Sequence, residues 1–351
     1  MNSLRRYLFL CPDRKTASGG IAVIYDLVAL LNRNSFISAV VHNSPSAGYP
    51  DYPENIPPFF TARINRVHWK HASLRQKGRL LKAKLKEKTK SPKLPKLGVE
   101  PTDIIVTPEF MLAEAIEGFP DNQIVVFVQN PFGLLRSYTR AISRGLSPEA
   151  QVSDWISIAD VCHRHLQMIG AENIHYVPAS PKPQDFPYQQ EKRPLITFMP
   201  RKRPNEAALL EAALRRRENL ENYELLALDG ISRAEVSKKL QESRIFISLL
   251  KDEALGFPAA EAMSSGCIVV GFDGLGCAEY FDNTTGVPVT EGDIASLVFA
   301  VERVVSEYEQ NPAPYDAMRK RASERINERY STEAFESAAL KTWEKISERL
   351  G

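Results

Sequence analysis

Two glutamates eight positions apart, Glu253 and Glu261, bracket a glycine turn and a helix start in the stretch EALGFPAAEAMSSGCIVVGF, residues 253–272. Carboxylates hold sugar hydroxyls by charge-assisted hydrogen bonds. Glu261, one turn into the helix, is placed to accept from both hydroxyls of a ribose. Glu253, in the loop before it, reaches the hydroxyls of a sugar lying beyond a diphosphate. Between them the backbone N–H groups near Gly256 and Phe257 face outward at a helix N-terminus, where the positive end of the helix dipole meets a phosphate. This is a grip for a sugar nucleotide, with one acid reading the nucleoside and the other the sugar.

The flanking pattern supplies the elements that hold these residues. RIFISLL (244–250) and CIVVGF (267–272) are short apolar runs of buried-strand type. Gly256 permits a tight turn, Pro258 suits the first position of a helix, and that helix runs over about 258–264 and stops before Gly266. A second strand–turn–helix spans residues 194–214 and carries Arg201, Lys202 and Arg203 at the carboxyl end of its strand. Fixed cations there would stabilise the charge on a departing nucleotide diphosphate. The order of preference is Arg201, then Lys202; which side chain takes which role stays open. A third unit lies at the N-terminus, where the strand YLFLC (7–11) is followed by Gly19, Gly20 and an apolar-periodic helix.

The spacing and context of Glu253 and Glu261 resemble the E-x7-E signature of family-4 retaining glycosyltransferases of the GT-B superfamily. The commonest form of the signature has Gly-Phe-Gly after the first acid, and here Ala254, Leu255 and Gly256 stand there. The resemblance implies two Rossmann-like parallel-sheet domains facing across a cleft, with a C-terminal helix returning to the N-domain. It assigns the donor sugar to Glu253 and the ribose to Glu261. It gives the basic turn a catalytic part through Arg201 and Lys202, and it makes Gly20, Arg203, Gly256, Phe257 and Pro258 donor-binding. Many relatives place a His after the strand corresponding to IVVFVQ (124–129), where this chain offers Gln129 and Asn130. Retention of configuration also follows from the resemblance, with the departing phosphate oxygen taking the acceptor's proton.

A chain of 351 residues, 43% hydrophobic and 25% charged, is globular and long enough for two cores. The reading divides it into an acceptor domain at 1–178, a proline-rich linker at 179–193, a donor-nucleotide domain at 194–330 and a C-terminal helix at 331–351. Further N-domain strands are expected at 36–41, 103–107 and 124–129, and another C-domain strand at 223–228. Ser232 and Glu235 form a capping box for a helix ending near Leu240. No run of 18 apolar residues and no signal peptide is read, so a cytoplasmic protein is expected. Cys11, Cys162, Cys267 and Cys277 lack paired spacing and suit reduced core thiols. His163 and His165 lack further ligands, and there is no D-x-D, so no metal and no cofactor beyond the nucleotide sugar is expected. His42, just after an N-domain strand, either lines the cleft or is a plain surface histidine, the second being preferred.

Charge is uneven. Residues 63–96 hold thirteen Lys and Arg against Glu87, a local +12 within a chain whose total is +2, which leaves about −10 elsewhere. Leu74, Leu81 and Leu85 fall near one helical face, so this segment is either an amphipathic helix docking on anionic lipid or a solvated insertion. Trp69 is its only aromatic residue, which disfavours nucleic acid. The expected partners are a nucleotide-sugar donor and a saccharide or lipid-linked acceptor, as in surface polysaccharide or glycolipid synthesis. A sugar-nucleotide epimerase or phosphorylase of the same fold, or a non-catalytic sugar-nucleotide-binding protein, are the rival classes.

Overall fold

The structure, a computed structural model, describes residues 5–13, 19–49, 52, 56–78 and 93–350. The chain divides into two compact units. The first runs to Ile158 and adds Cys162–Val177 and the end of the chain from Ala339; the second holds Ala159–Val161 and Pro178–Ala338.

The first unit is built on seven strands: β1 (Arg6–Cys11), β2 (Ile37–His42), β3 (Phe59–Phe60), β4 (Ile104–Pro108), β5 (Gln123–Val128), β6 (Val152–Ser157) and β7 (Ile174–Tyr176). Their order in the sheet is β3-β2-β1-β4-β5-β6-β7, and every pairing is parallel. The second unit has β8 (Arg193–Phe198), β9 (Glu224–Ala227), β10 (Ser243–Leu249), β11 (Ile268–Phe272) and β12 (Val287–Pro288), in the order β12-β11-β10-β8-β9, again all parallel. Two parallel, doubly wound sheets are the architecture that the resemblance implied.

Parallel strands need long crossovers, which put helices on both faces and bury the strands completely. That is why β1 and β10 read as unbroken apolar runs. In the second unit Ile196 and Phe198 of β8, Ile245 and Ile247 of β10 and Ile268 and Val270 of β11 pack with Leu210 and Leu214 of the helix Pro204–Leu214 and with Leu297 and Val301 of the helix Ile294–Gln310. Burying each such side chain contributes at most about 1.5–3 kcal/mol. The helix Thr332–Leu350 ends in the first unit, where buried Trp343 stacks on Phe9 with ring centroids 5.7 Å apart.

Strand order reverses between β1 and β4 in the first sheet and between β8 and β10 in the second. Such switch points are where open parallel sheets bind ligands, beyond the strands' carboxyl ends.

Several expectations change. The expected strands exist, with ends shifted by a residue or two, but β3, β6, β7 and β12 and the helices Pro131–Ser143, Asp160–Met168 and Ile294–Gln310 were not read from the sequence. His42 is not a surface residue: it is 1% exposed, and its Nε2 lies 3.0 Å from the Tyr25 hydroxyl. The proline-rich stretch from Pro178 belongs to the second unit, where Ser264 Oγ donates to the carbonyls of Pro183 and Phe186. All four cysteines are free and buried.

In the basic segment a helix spans Arg63–His71, burying Ile64 and Val67, and gives way at Ala72, whose ψ of 134° is extended. Helical backbone resumes over 74–78, with Leu74 88% exposed and Trp69 39% exposed. Leu81 and Leu85 lie outside the described residues.

Candidate active site

In the second unit a cavity of about 200 Å³ opens at the switch point between β8 and β10, lined among others by Arg201, Lys202, Leu228, Ile231, Glu253 and Pro258. The residues come from the carboxyl ends of adjacent strands: Arg201 and Lys202 from the short turn after β8, the loop Leu228–Ile231 after β9, and Glu253 from the loop after β10. Lys202 Nζ lies 2.5 Å from Glu253 Oε1 and donates to the Lys251 carbonyl at 3.0 Å. Arg201 is exposed, and its side chain makes no hydrogen bond or ion pair with any described residue.

Arg203 goes elsewhere. It is 4% exposed, donates to the Leu250 carbonyl at 3.3 Å and to Glu206 at 3.1 Å, pairs with Glu291, and lies 4.9 Å from the centroid of Phe272. Its guanidinium is engaged by the fold and does not line the cavity. Three consecutive basic residues thus have three different surroundings.

The turn between Glu253 and the helix Phe257–Ser264 is set by Gly256, which takes φ 69° and ψ 61°, a left-handed conformation that glycine adopts without a Cβ clash. Pro258 stands in the first turn of that helix. Glu261, one turn further, is 6% exposed and does not line the cavity. Its Oε1 accepts from Arg233 Nη1 at 2.6 Å, and Arg233 also donates to the Pro181 carbonyl at 2.7 Å. Burial pushes the Glu261 carboxyl up to about 7 against the pull of the Arg233 charge.

Arg233 was not singled out in the sequence, yet a legible feature positions it. Ser232 accepts from the Glu235 N–H and Glu235 accepts from the Ser232 N–H, the expected capping box, and Arg233 is the first residue of the helix so started, Arg233–Glu242. Its guanidinium lies 4.6 Å from the ring centroid of Phe186.

Gly20 lies in the first unit, the second residue of the helix Gly19–Arg33. Gln129 Nε2 donates to its carbonyl at 3.2 Å, and a Cβ on Gly20 would stand 2.8 Å from Gln129 Oε1. The Gln129 N–H in turn donates to Glu109 Oε2 at 2.9 Å. Glu109 is 2% exposed and its carboxyl is pushed up to about 7 by burial. Asn130 caps the helix Pro131–Ser143 by accepting from the Phe132 and Gly133 N–H groups. Glu109 escaped the sequence reading because a lone Glu after a strand carries no pattern. Among the described residues no group of three His, Cys, Asp or Glu is arranged to hold a metal ion.

Residues 208–325, which contain both glutamates, match the family described as Glycosyl transferases group 1. An α-1,6-glucosyltransferase of Actinobacillus pleuropneumoniae serotype 7 (strain AP76) is 27% identical over 263 residues, 70% of this chain and 75% of that protein. Among solved structures, sucrose-phosphate synthase from Thermosynechococcus elongatus superposes with a TM-score of 0.65 at 13% identity, covering 98% of this chain and 100% of the other. The Anabaena protein HepE in complex with UDP-glucose does so with a TM-score of 0.65 at 13% identity over 98% and 99%. The fold is that of these two-domain GT-B structures. Over residues 208–325 the chain is similar to the group 1 glycosyltransferases, and over 70% of its length to a glucosyltransferase.

Proposed function

We propose that the enzyme transfers glucose from UDP-glucose to a saccharide or lipid-linked saccharide acceptor of a surface polysaccharide or glycolipid. The observation that carries this reading is the convergence of Arg201, Lys202 and Glu253 on one cavity beside a helix N-terminus. The glucosyltransferase relative and the UDP-glucose complex of HepE support the choice of donor.

In this reading the nucleobase enters between Met199, Leu228, Ile231 and Val236, apolar lining whose Ile231 is 40% exposed. Glu261 holds the ribose hydroxyls, and the Gly256 and Phe257 N–H groups hold the diphosphate. Arg201, the cation without a described partner, and Lys202 take up the charge that grows on the diphosphate as the glycosidic bond breaks. Glu253 fixes a sugar hydroxyl, and Pro258 sets the helix start that aims these groups. Gly20 is assigned to the donor phosphates and Arg203 to the rigidity of the basic turn. The departing phosphate oxygen takes the acceptor's proton, and cations with backbone dipoles serve in place of a metal.

Membrane contact is assigned to the basic segment, where exposed Trp69 and Leu74 stand among Arg66, Lys70, Arg75 and Lys77. Among the described residues no helix is long and apolar enough to cross a bilayer.

The test is to screen nucleotide diphosphates by thermal shift, then to supply the stabilising nucleotide's glucoside with candidate acceptors. A glycoside product is expected. An epimerised donor without glycoside, or tight binding without turnover, overturns the proposal in favour of one of the rival classes.

A further inference from the structure

The turn that carries Gly256 does not stand alone; it rests on a floor formed by residues 273–280. Glu253 N–H donates to the Gly274 carbonyl at 3.1 Å. A Cβ on Gly276 would stand 2.1 Å from the Ala254 carbonyl oxygen, so only glycine lets the two segments meet. Beneath Gly256 itself, a Cβ would stand 2.1 Å from Cys277 Sγ.

Tyr280 closes this floor. It is fully buried, and its hydroxyl lies 2.7 Å from the Leu255 carbonyl oxygen and 3.0 Å from that of Gly256. The hydroxyl has one hydrogen to donate and three acceptors around it, the two carbonyls and Cys277 Sγ at 3.0 Å, the Leu255 carbonyl being the nearest; the Cys277 thiol in turn donates to Leu255 at 3.1 Å. Tyr280 is itself pinned: Thr285 Oγ1 donates to its carbonyl at 2.7 Å and Arg325 Nη1 does so at 3.2 Å.

A trans peptide is planar, with its C=O and N–H pointing in opposite directions. Drawing the Leu255 carbonyl toward Tyr280 therefore aims the Gly256 N–H away from the core. Drawing in the Gly256 carbonyl does the same for the Phe257 N–H. At the first positions of a helix those N–H groups have no acceptor within the helix.

We propose that Tyr280 is a positioning residue of the donor site: its hydroxyl orients the two peptide planes that present the Gly256 and Phe257 N–H groups to a nucleotide's diphosphate. This rests on the reading that the turn binds the donor. Without the hydroxyl the Leu255 carbonyl keeps only the Cys277 thiol as donor, at 3.1 Å, while the Gly256 carbonyl still accepts from the Ala259 N–H at 3.1 Å; the Leu255–Gly256 plane is then the less firmly held, and the two N–H groups lose their common aim.

The experiment compares binding of UDP and of UMP by calorimetry in wild type and in Y280F, which keeps the ring and deletes the hydroxyl. A preference of wild type for UDP over UMP tests the donor reading; no nucleotide binding in wild type refutes that reading and this proposal with it. Given the preference, Y280F is expected to lose about tenfold in UDP affinity while UMP affinity stays within about twofold. An unchanged UDP-to-UMP ratio, or equal losses for both nucleotides, overturns the proposal alone. Should Y280F not fold, C277A removes the thiol that donates to Leu255 at 3.1 Å and lies 3.0 Å from the Tyr280 hydroxyl, and is expected to lower the UDP-to-UMP ratio by about two- to threefold; an unchanged ratio there overturns the proposal.

Discussion

Lys202 Nζ and Glu253 Oε1 lie 2.5 Å apart, so the cation assigned to the diphosphate and the acid assigned to the sugar form an ion pair across the cavity. The side chains are 38% and 21% exposed. Pairs in such partly hydrated surroundings contribute no more than about 1 kcal/mol. The pair can therefore open at small cost, releasing the ammonium to the diphosphate and the carboxylate to a sugar hydroxyl.

That relationship predicts a split phenotype for Glu253→Gln. Turnover should fall about 100-fold, because a fixed charge facing the reacting sugar is lost. UDP affinity should stay within about threefold, because UDP lacks the sugar that Glu253 reads. Steady-state kinetics alongside UDP titration check this. A fall in UDP affinity as large as the fall in turnover would remove Glu253 from the sugar.

The same cavity shows what a sequence can carry. The glutamates, Gly256 and Pro258 were legible because a turn and a helix start impose residue types at fixed offsets. The fully buried strands β1, β8, β10 and β11 were legible as apolar runs. Strand β6, VSDWIS, was not: Asp154 lies fully buried in it, satisfied by His175 at 2.9 Å and by Arg349. A buried ion pair assembled from residues about 20 and 195 positions apart leaves no local signal. Arg233 was hidden for the same reason, since nothing near Ser232 points 28 positions ahead to Glu261. The separate fates of Arg201, Lys202 and Arg203 depend on Glu253, Glu291 and Phe272, which only the folded chain brings near.

The basic turn yields the second prediction. Arg203→Ala should destabilise the protein by about 2–4 kcal/mol, because the side chain is 5% exposed and fills the space between Phe272, Glu206 and Glu291. Arg201→Ala should leave stability within about 0.5 kcal/mol, since the residue is exposed and unpaired among the described residues. It should instead lower kcat with UDP-glucose by about tenfold or more. Urea denaturation and kinetics on both variants decide. If Arg203→Ala were as stable as wild type while losing turnover, the assignments of the two arginines would have to be exchanged.

Glu261 carries the third prediction, through its titration. Its ordinary carboxyl value is 4.5, and burial raises it to about 7 in the folded protein. The folded state therefore holds the proton to higher pH than the unfolded chain does. The group's contribution to stability is greatest below about 4.5, declines as pH rises to about 7, and is lost above that. Over this window wild type should lose up to about 3 kcal/mol that Glu261→Gln does not lose. Binding has the opposite slope. With Glu261 on the ribose as proposed, it is the ionised carboxylate that accepts from both hydroxyls, so UDP affinity should rise with pH toward 7 and level off above it. Glu261→Ala should weaken UDP binding by roughly 1–3 kcal/mol at pH 8. Arg233→Ala removes the cation that holds the carboxyl down, so the inflection in UDP affinity should move to higher pH. Titrations at several pH values in wild type, Glu261→Gln and Arg233→Ala measure this directly. An inflection that persists unmoved in Glu261→Gln would assign the ribose contact to another residue.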